Sequence, residues 1–167
     1  MEFRKSNSSD IQSIMKIISE AQAFLKEQGV GQWQNGYPNE ESIQTDIQHG
    51  ESYVLVKNGE VVATAMVTFR GDPAYQSIHE GQWLSNEKYA AVHRVAVSRD
   101  HKGLGLSTEI LKHVEKLCLE HNVHSIKIDT HKENIPMQKV ILKNGFQYCG
   151  IVYIDGLHER IAFEKLL

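Results

Sequence analysis

Between Ala90 and Leu119 an apolar strand, a glycine-bearing loop and an amphipathic helix follow one another without interruption, and few folds accommodate that order. The strand reads Ala90 to Val97, the turn Ser98-Arg99-Asp100-His101, the loop Lys102-Gly103-Leu104-Gly105-Leu106-Ser107, and the helix runs to about Glu120. A helix that starts directly after such a loop presents unpaired backbone N–H groups and the positive end of its dipole. That end binds anions, phosphates above all. Gly103 and Gly105 let the backbone approach a ligand closely, and Arg99, His101 and Lys102 add positive charge.

The spacing decides among the loops built this way. A dinucleotide-binding G-x-G-x-x-G needs glycine at position 108, which is Thr108, and a Walker loop needs Gly-Lys-Ser/Thr at its end, which is absent. The nucleophile elbow G-x-S-x-G is also missing.

Composition narrows the partners. A chain of 167 residues fits a single domain over 1–167 with a sizeable core. A net charge of −3 and a pI near 6.3 give no global attraction to nucleic acid or to an anionic membrane, so an anion site has to be local. The amino-terminal residues lack the apolar core of a signal peptide and no apolar run is long enough to span a bilayer; a cytoplasmic address with no membrane partner is expected. Cys118 and Cys149 form no CxxC pattern and read as two buried, reduced thiols. His121 with His124, and Asp129 with His131, lack recognised ligand spacing, so no metal is expected.

Along the chain, Phe3 to Lys5 is extended and Ser8-Ser9-Asp10 caps a helix. Its apolar positions Ile11, Ile14, Ile18, Ala21 and Leu25 recur at helical spacing up to Gly29. A turn-rich loop with Trp33 and Tyr37 follows, and Asn39 caps a second helix carrying Ile43 and Ile47. Ser52 to Lys57 and Val61 to Phe69 form a hairpin through Asn58-Gly59. Arg70 to Lys88 reads as a flexible or functional loop. After the central stretch come a strand within Val123 to Thr130, a helix from about Ile135 to Lys143 capped by Asn134, a strand from Phe146 to Ile154, a turn at Asp155-Gly156, and a strand around Ile161 to Phe163. This mixed order implies an α/β sheet with helices on both faces and the strands about the glycine loop parallel.

Lys102-Gly103-Leu104-Gly105-Leu106-Ser107 resembles the acetyl-coenzyme A loop (Gln/Arg)-x-x-Gly-x-(Gly/Ala) of the GNAT N-acetyltransferase superfamily. Lys102 stands where Gln or Arg is usual and Ser107 where Gly or Ala is usual. A second likeness begins at Asn134, with Gly145-Phe146 at the family's Gly-Phe. There Met137 replaces an Ala, and Ile141 a Tyr. The element order matches the GNAT plan over nearly the whole chain. The resemblance implies a mixed, mostly antiparallel twisted sheet of about seven strands with a central parallel splayed pair, and acetyl-CoA as cosubstrate. It further implies that the loop and Asn134 contact the carrier, that the Val95 and Val97 backbones bond its pantetheine arm, and that Trp33 and Tyr37 face the acceptor. Trp33 and Tyr37 are equally able to seal the core edge, and Asn134 to act as a helix cap alone.

The implied reaction moves acetyl from a thioester to a primary amine of a small molecule or peptide. An alkylammonium of pKa near 10.4 is about 3.4 units from neutrality at pH 7, a cost of roughly 4.6 kcal/mol, so a base belongs nearby. His93, on the strand entering the loop, suits that task, with Glu80 and Glu87 in reserve. The Tyr replaced by Ile141 is the residue the family uses to protonate the departing thiolate. Tyr148 or Tyr153 on the next strand, or solvent, would have to serve instead. The same substitution admits an alternative: a catalytically silent coenzyme A-binding sensor or partner-binding module. The acceptor's identity and the oligomeric state stay open, a homodimer among the options.

Overall fold

A computed structural model describes all residues, 1–167. Hydrogen bonding orders seven strands in one sheet: β1 (Glu2–Lys5), β2 (Ser52–Lys57), β3 (Glu60–Thr68), β4 (Ala90–Val97), β5 (Ser125–Thr130), β7 (His158–Leu166) and β6 (Gln147–Ile154). Four α-helices complete the chain: α1 (Ile11–Glu27), α2 (Glu40–Gln48), α3 (Leu106–Glu120) and α4 (Ile135–Lys143). β4 and β5 are the parallel pair, with register recorded for Ala90 to Val92 against Ile126 to Ile128. The seven-strand mixed sheet with one parallel pair is the class that the resemblance implies. The residues pack as two units, one of 1–67 with 94–113 and one of 68–93 with 114–167, and the division crosses β4 between His93 and Arg94.

In the first unit, β1 and β2 are antiparallel, and so are β2 and β3. Asn58 and Gly59 join β2 to β3 at φ of 52° and 77°, the left-handed pair that matches the twist of a tight hairpin. Helix α1 buries Ile14, Ile18 and Leu25 of the stripe that its spacing predicts, together with Ile17, while Ile11 and Ala21 are half-buried. With Ile43 of α2, Val54 of β2 and Ala96 of β4, the three buried isoleucines form the core, and Trp33 packs against it. Each fully buried aliphatic side chain there contributes about 1.5–3 kcal/mol. Asn39 caps α2 by accepting from the Ser42 N–H at 2.9 Å.

In the second unit, β5 pairs antiparallel with β7, and β7 with β6. Its core gathers Tyr75, Ala91, Val152 and Ala162, with Ala74, Ile78, Trp83 and Tyr89 packed on it. Five of these eight residues come from the segment 70–88 or, in Tyr89, from its end. The segment, read from sequence as a flexible or functional loop, is held at several points. It holds a 3₁₀ turn at Pro73–Gln76, and His79 makes an antiparallel bridge to Ile151. Glu164, with no exposed surface, accepts from the Leu84 N–H at 2.7 Å, the Ser85 hydroxyl at 3.0 Å and the Ser125 hydroxyl at 2.7 Å. Lys127, opposite Glu164 in the ladder, lays its ammonium 4.3 Å from the Trp83 ring centroid and 4.2 Å from that of Tyr89. Cys118 and Cys149 are free and buried, as expected.

Candidate active site

In the first unit, the strand-to-helix stretch folds as the glycine spacing requires. A 3₁₀ turn at Arg99–His101 leads into Gly103 and Gly105 at φ of 80° and 72°, conformations that side-chain-bearing residues rarely adopt. No heavy atom lies within 4 Å of a Cβ built at either glycine, so both face open space. Leu106 is 3 % exposed and pins the loop to the core, and the Glu109 N–H bonds the Gly105 carbonyl at 3.1 Å to begin the ladder of α3. The first amides of that 15-residue helix therefore follow a loop that leaves room for an anion. Leu104 is exposed and Ser107 half-buried. Lys102 rests its ammonium 3.6 Å from the Phe24 ring centroid of α1, and the Arg99 N–H is taken by the Glu20 carboxylate at 3.1 Å.

Also in this unit, Arg94 departs from regular strand geometry at φ 53° and binds the Asp46 carboxylate through two nitrogens, at 2.8 and 2.6 Å. Its third nitrogen donates to the Tyr37 hydroxyl. Tyr37 is thereby fixed with its ring 44 % exposed, whereas Trp33, at φ 63°, turns to the core. Val95 and Val97 are half-buried on the same run of β4.

In the second unit, the strand His93 enters a cluster of carboxylates and phenols. Asp72 Oδ2 lies 2.7 Å from His93 Nε2, and Asp129 Oδ2 lies 3.9 Å from Nδ1. Asp72 is held from both sides: its Oδ1 accepts from the Ala74 N–H at 2.8 Å, and its own N–H donates to the Tyr89 hydroxyl at 3.0 Å. The Tyr75 hydroxyl donates to Asp129 Oδ2 at 2.5 Å. Burial pushes the Asp129 carboxyl above the usual carboxylate range, against the opposing pull of His93 and Arg160. Burial, with Asp129 beside it, holds the Tyr75 phenol well above its usual value. A cleft of about 380 Å³ opens along Pro73, Ala74, Ser77, His79, Tyr153 and Gly156.

Asn134 caps α4, its Oδ1 accepting from the Met137 N–H at 3.3 Å. Ile141 is fully buried. Glu80 is exposed at φ 54°, Glu87 is exposed, and Tyr148 is 52 % exposed with its ring edge-on to Phe163. The structure thus brings His93 together with Asp72, Asp129 and Tyr75, three residues that sequence reasoning missed. One signal was available: Asp129 follows Ile126 and Ile128 in an apolar strand, where a carboxylate needs a partner. No group of three or more His, Cys, Asp or Glu side chains is arranged to hold a metal ion. No helix is long and apolar enough to cross a membrane.

A family model described as Acetyltransferase (GNAT) family matches residues 16–146. Among solved structures, an acetyltransferase of the GNAT family from Streptococcus agalactiae 2603 is similar over 99 % of this chain and 95 % of its own, with a TM-score of 0.91 and 34 % identity. An acetyltransferase of the GNAT family from Listeria monocytogenes 4b F2365 shares the fold over 99 % of this chain and 94 % of its own, with a TM-score of 0.77 and 24 % identity. The curated protein "Uncharacterized N-acetyltransferase YesJ" of Bacillus subtilis (strain 168) is 24 % identical over 160 residues, 93 % of this chain and 84 % of that protein.

Proposed function

The chain belongs to the GNAT acetyltransferase family, and from that premise we propose that it transfers acetyl from acetyl-CoA to a primary amine of a small molecule or peptide by direct attack on the thioester. The observation that carries this reading is the 2.7 Å contact between His93 and Asp72, an imidazole held by a carboxylate in the manner of a general base.

Residues 102–107 and the first amides of α3 hold the diphosphate of the cosubstrate, the open space over Gly103 and Gly105 supporting that assignment. The Val95 and Val97 backbones bond the pantetheine arm as an added strand would, and Asn134 contacts it near the start of α4. Lys102 contributes charge without a planar fork. Trp33 and Tyr37 face the acceptor, the exposed Tyr37 being fixed by Arg94. His93 takes the proton that keeps the amine from attacking, a step otherwise costing roughly 4.6 kcal/mol at pH 7. Glu80 and Tyr148 are secondary candidates for proton transfer.

Thiol release over a panel of amines tests the reading. Turnover with at least one amine, reduced a hundredfold or more in His93→Ala, is expected; no turnover with any amine removes it. Calorimetry should show acetyl-CoA binding that Gly105→Glu abolishes, and unchanged affinity in that variant would move the diphosphate elsewhere.

One observation favours a second reading. Ile141 is buried and carries no phenol, which fits a coenzyme A-binding sensor without turnover. Binding without thiol release would select it.

A further inference from the structure

Two carboxylates face the His93 imidazole, one toward each ring nitrogen, and only one is near enough to bond it. Asp72 lies 2.7 Å from Nε2, whereas Asp129 lies 3.9 Å from Nδ1. A carboxylate on Nε2 fixes the tautomer that carries its proton there and leaves Nδ1 as an acceptor. Nδ1 and Asp129 Oδ2 then confront each other as two acceptors. That arrangement is unfavourable alone and well suited to a donor with more than one proton.

The separation defines that donor. An atom at about 2.8 Å from both, the usual charge-assisted distance, bridges a 3.9 Å gap with an angle near 90°. An ammonium, with three N–H donors, satisfies both acceptors; a hydroxyl, with one, satisfies a single acceptor. Its positive charge would also offset the cost of burying Asp129, whose side chain is 8 % exposed and whose Oδ2 is oriented by Tyr75. The cleft of Pro73, Ala74, Ser77, His79 and Tyr153 begins at the turn that Asp72 caps, giving the rest of an acceptor a largely uncharged lining.

We infer that the gap between His93 Nδ1 and Asp129 seats the acceptor's ammonium: the enzyme takes alkylammonium acceptors in their charged form, Asp129 recognises them, and Asp72 is a positioning residue for His93. This deepens the acetyl-transfer reading and rests on it for the role of His93. The ammonium gives one proton to Nδ1, and Asp72 balances the imidazolium. The freed lone pair forms a C–N bond to the thioester carbonyl carbon. The C–S bond breaks, its electron pair leaving on sulfur. The nitrogen sheds a second proton to water, and the thiolate takes up one in return.

The test titrates n-butylammonium chloride and, separately, n-butanol into the full chain while the His93 ring resonances are followed by NMR. The ammonium should shift them, and butanol should bind at least tenfold more weakly. Asp129→Asn, which keeps an acceptor for Tyr75, should lose at least tenfold in ammonium affinity. Asp72→Asn should hold that affinity within about threefold while lowering kcat at least tenfold, a split that a merely structural role would not produce. Equal binding of alcohol and ammonium, equal ammonium affinity in Asp129→Asn, or no shift at all would each overturn the inference. The ammonium and alcohol arms need no variant, so they decide even if Asp129→Asn does not fold. Failure of the acetyl-transfer reading looks different: ammonium binding persists and no amine gives thiol release.

Discussion

Arg94 holds Asp46 by two nitrogens while its own backbone stands in the left-handed region, so β4 breaks its regular geometry at the residue that ties it to α2. Both side chains are largely buried, 13 % and 7 % exposed. Removing one partner of such a pair strands the other charge, a loss of about 3–5 kcal/mol. Asp46→Ala should therefore lower the urea midpoint sharply. Arg94→Lys, which keeps the charge and loses the planar fork, should cost less, about 1–3 kcal/mol. Equal midpoints for the two variants would mean that the bidentate geometry, and not charge alone, makes the tie.

Asp129 should prove a cost to stability. Its carboxyl is raised by burial, so relative to the unfolded chain the protonated form is favoured. The native state has its full stability from this group below the ordinary carboxylate range and loses part of it as pH rises through the raised value. Asp129→Asn should accordingly raise the urea midpoint at pH 7, with the gain shrinking as pH falls toward 4. A lower midpoint at pH 7 would show that the partners of Asp129 outweigh its desolvation.

Gly81 sits where a side chain has no room. A Cβ built there would lie 1.9 Å from the Cys149 carbonyl oxygen and 2.9 Å from its carbon. Backbone cannot yield as a flexible side chain does, so Gly81→Ala should displace the segment from β6 at a cost of about 2 kcal/mol or more. Hydrogen exchange at His79 and Ile151, whose amides each bond the other's carbonyl at 2.8 Å, should accelerate in this variant.

Neither cysteine should react with an aromatic disulfide reagent in the native protein. Burial pushes the Cys118 thiol up to about 12, and Cys149 is also raised. At pH 8 almost no thiolate is present at Cys118, and burial disfavours it at Cys149. A thiol count near zero in buffer and near two in denaturant is expected. Reaction of Cys118 in the folded protein would contradict its burial.

The elements were legible because local signals agreed with the tertiary result. β4 spans Ala90–Val97 and α4 spans Ile135–Lys143, the bounds that the apolar runs and the Asn134 cap indicate. The last strand is longer than read, His158–Leu166, because its polar residues pair with β5 and β6 and so escape an apolar count. Less was legible in the cluster around His93. Asp72 and Tyr75 lie in a segment whose glycines and proline suggest a free loop, and only long-range partners such as Glu164 and Lys127 give it shape. A buried Glu or Lys carries no mark in sequence that distinguishes it from a solvated one.

Glu164 grips the 70–88 segment before any small molecule arrives. The entropy of arranging that segment is spent during folding and is not charged again to each encounter, so an acceptor bound as proposed above would meet a cut lock rather than wet clay. Selectivity under that proposal would come from rejecting what does not match, with no wait for the segment to order itself.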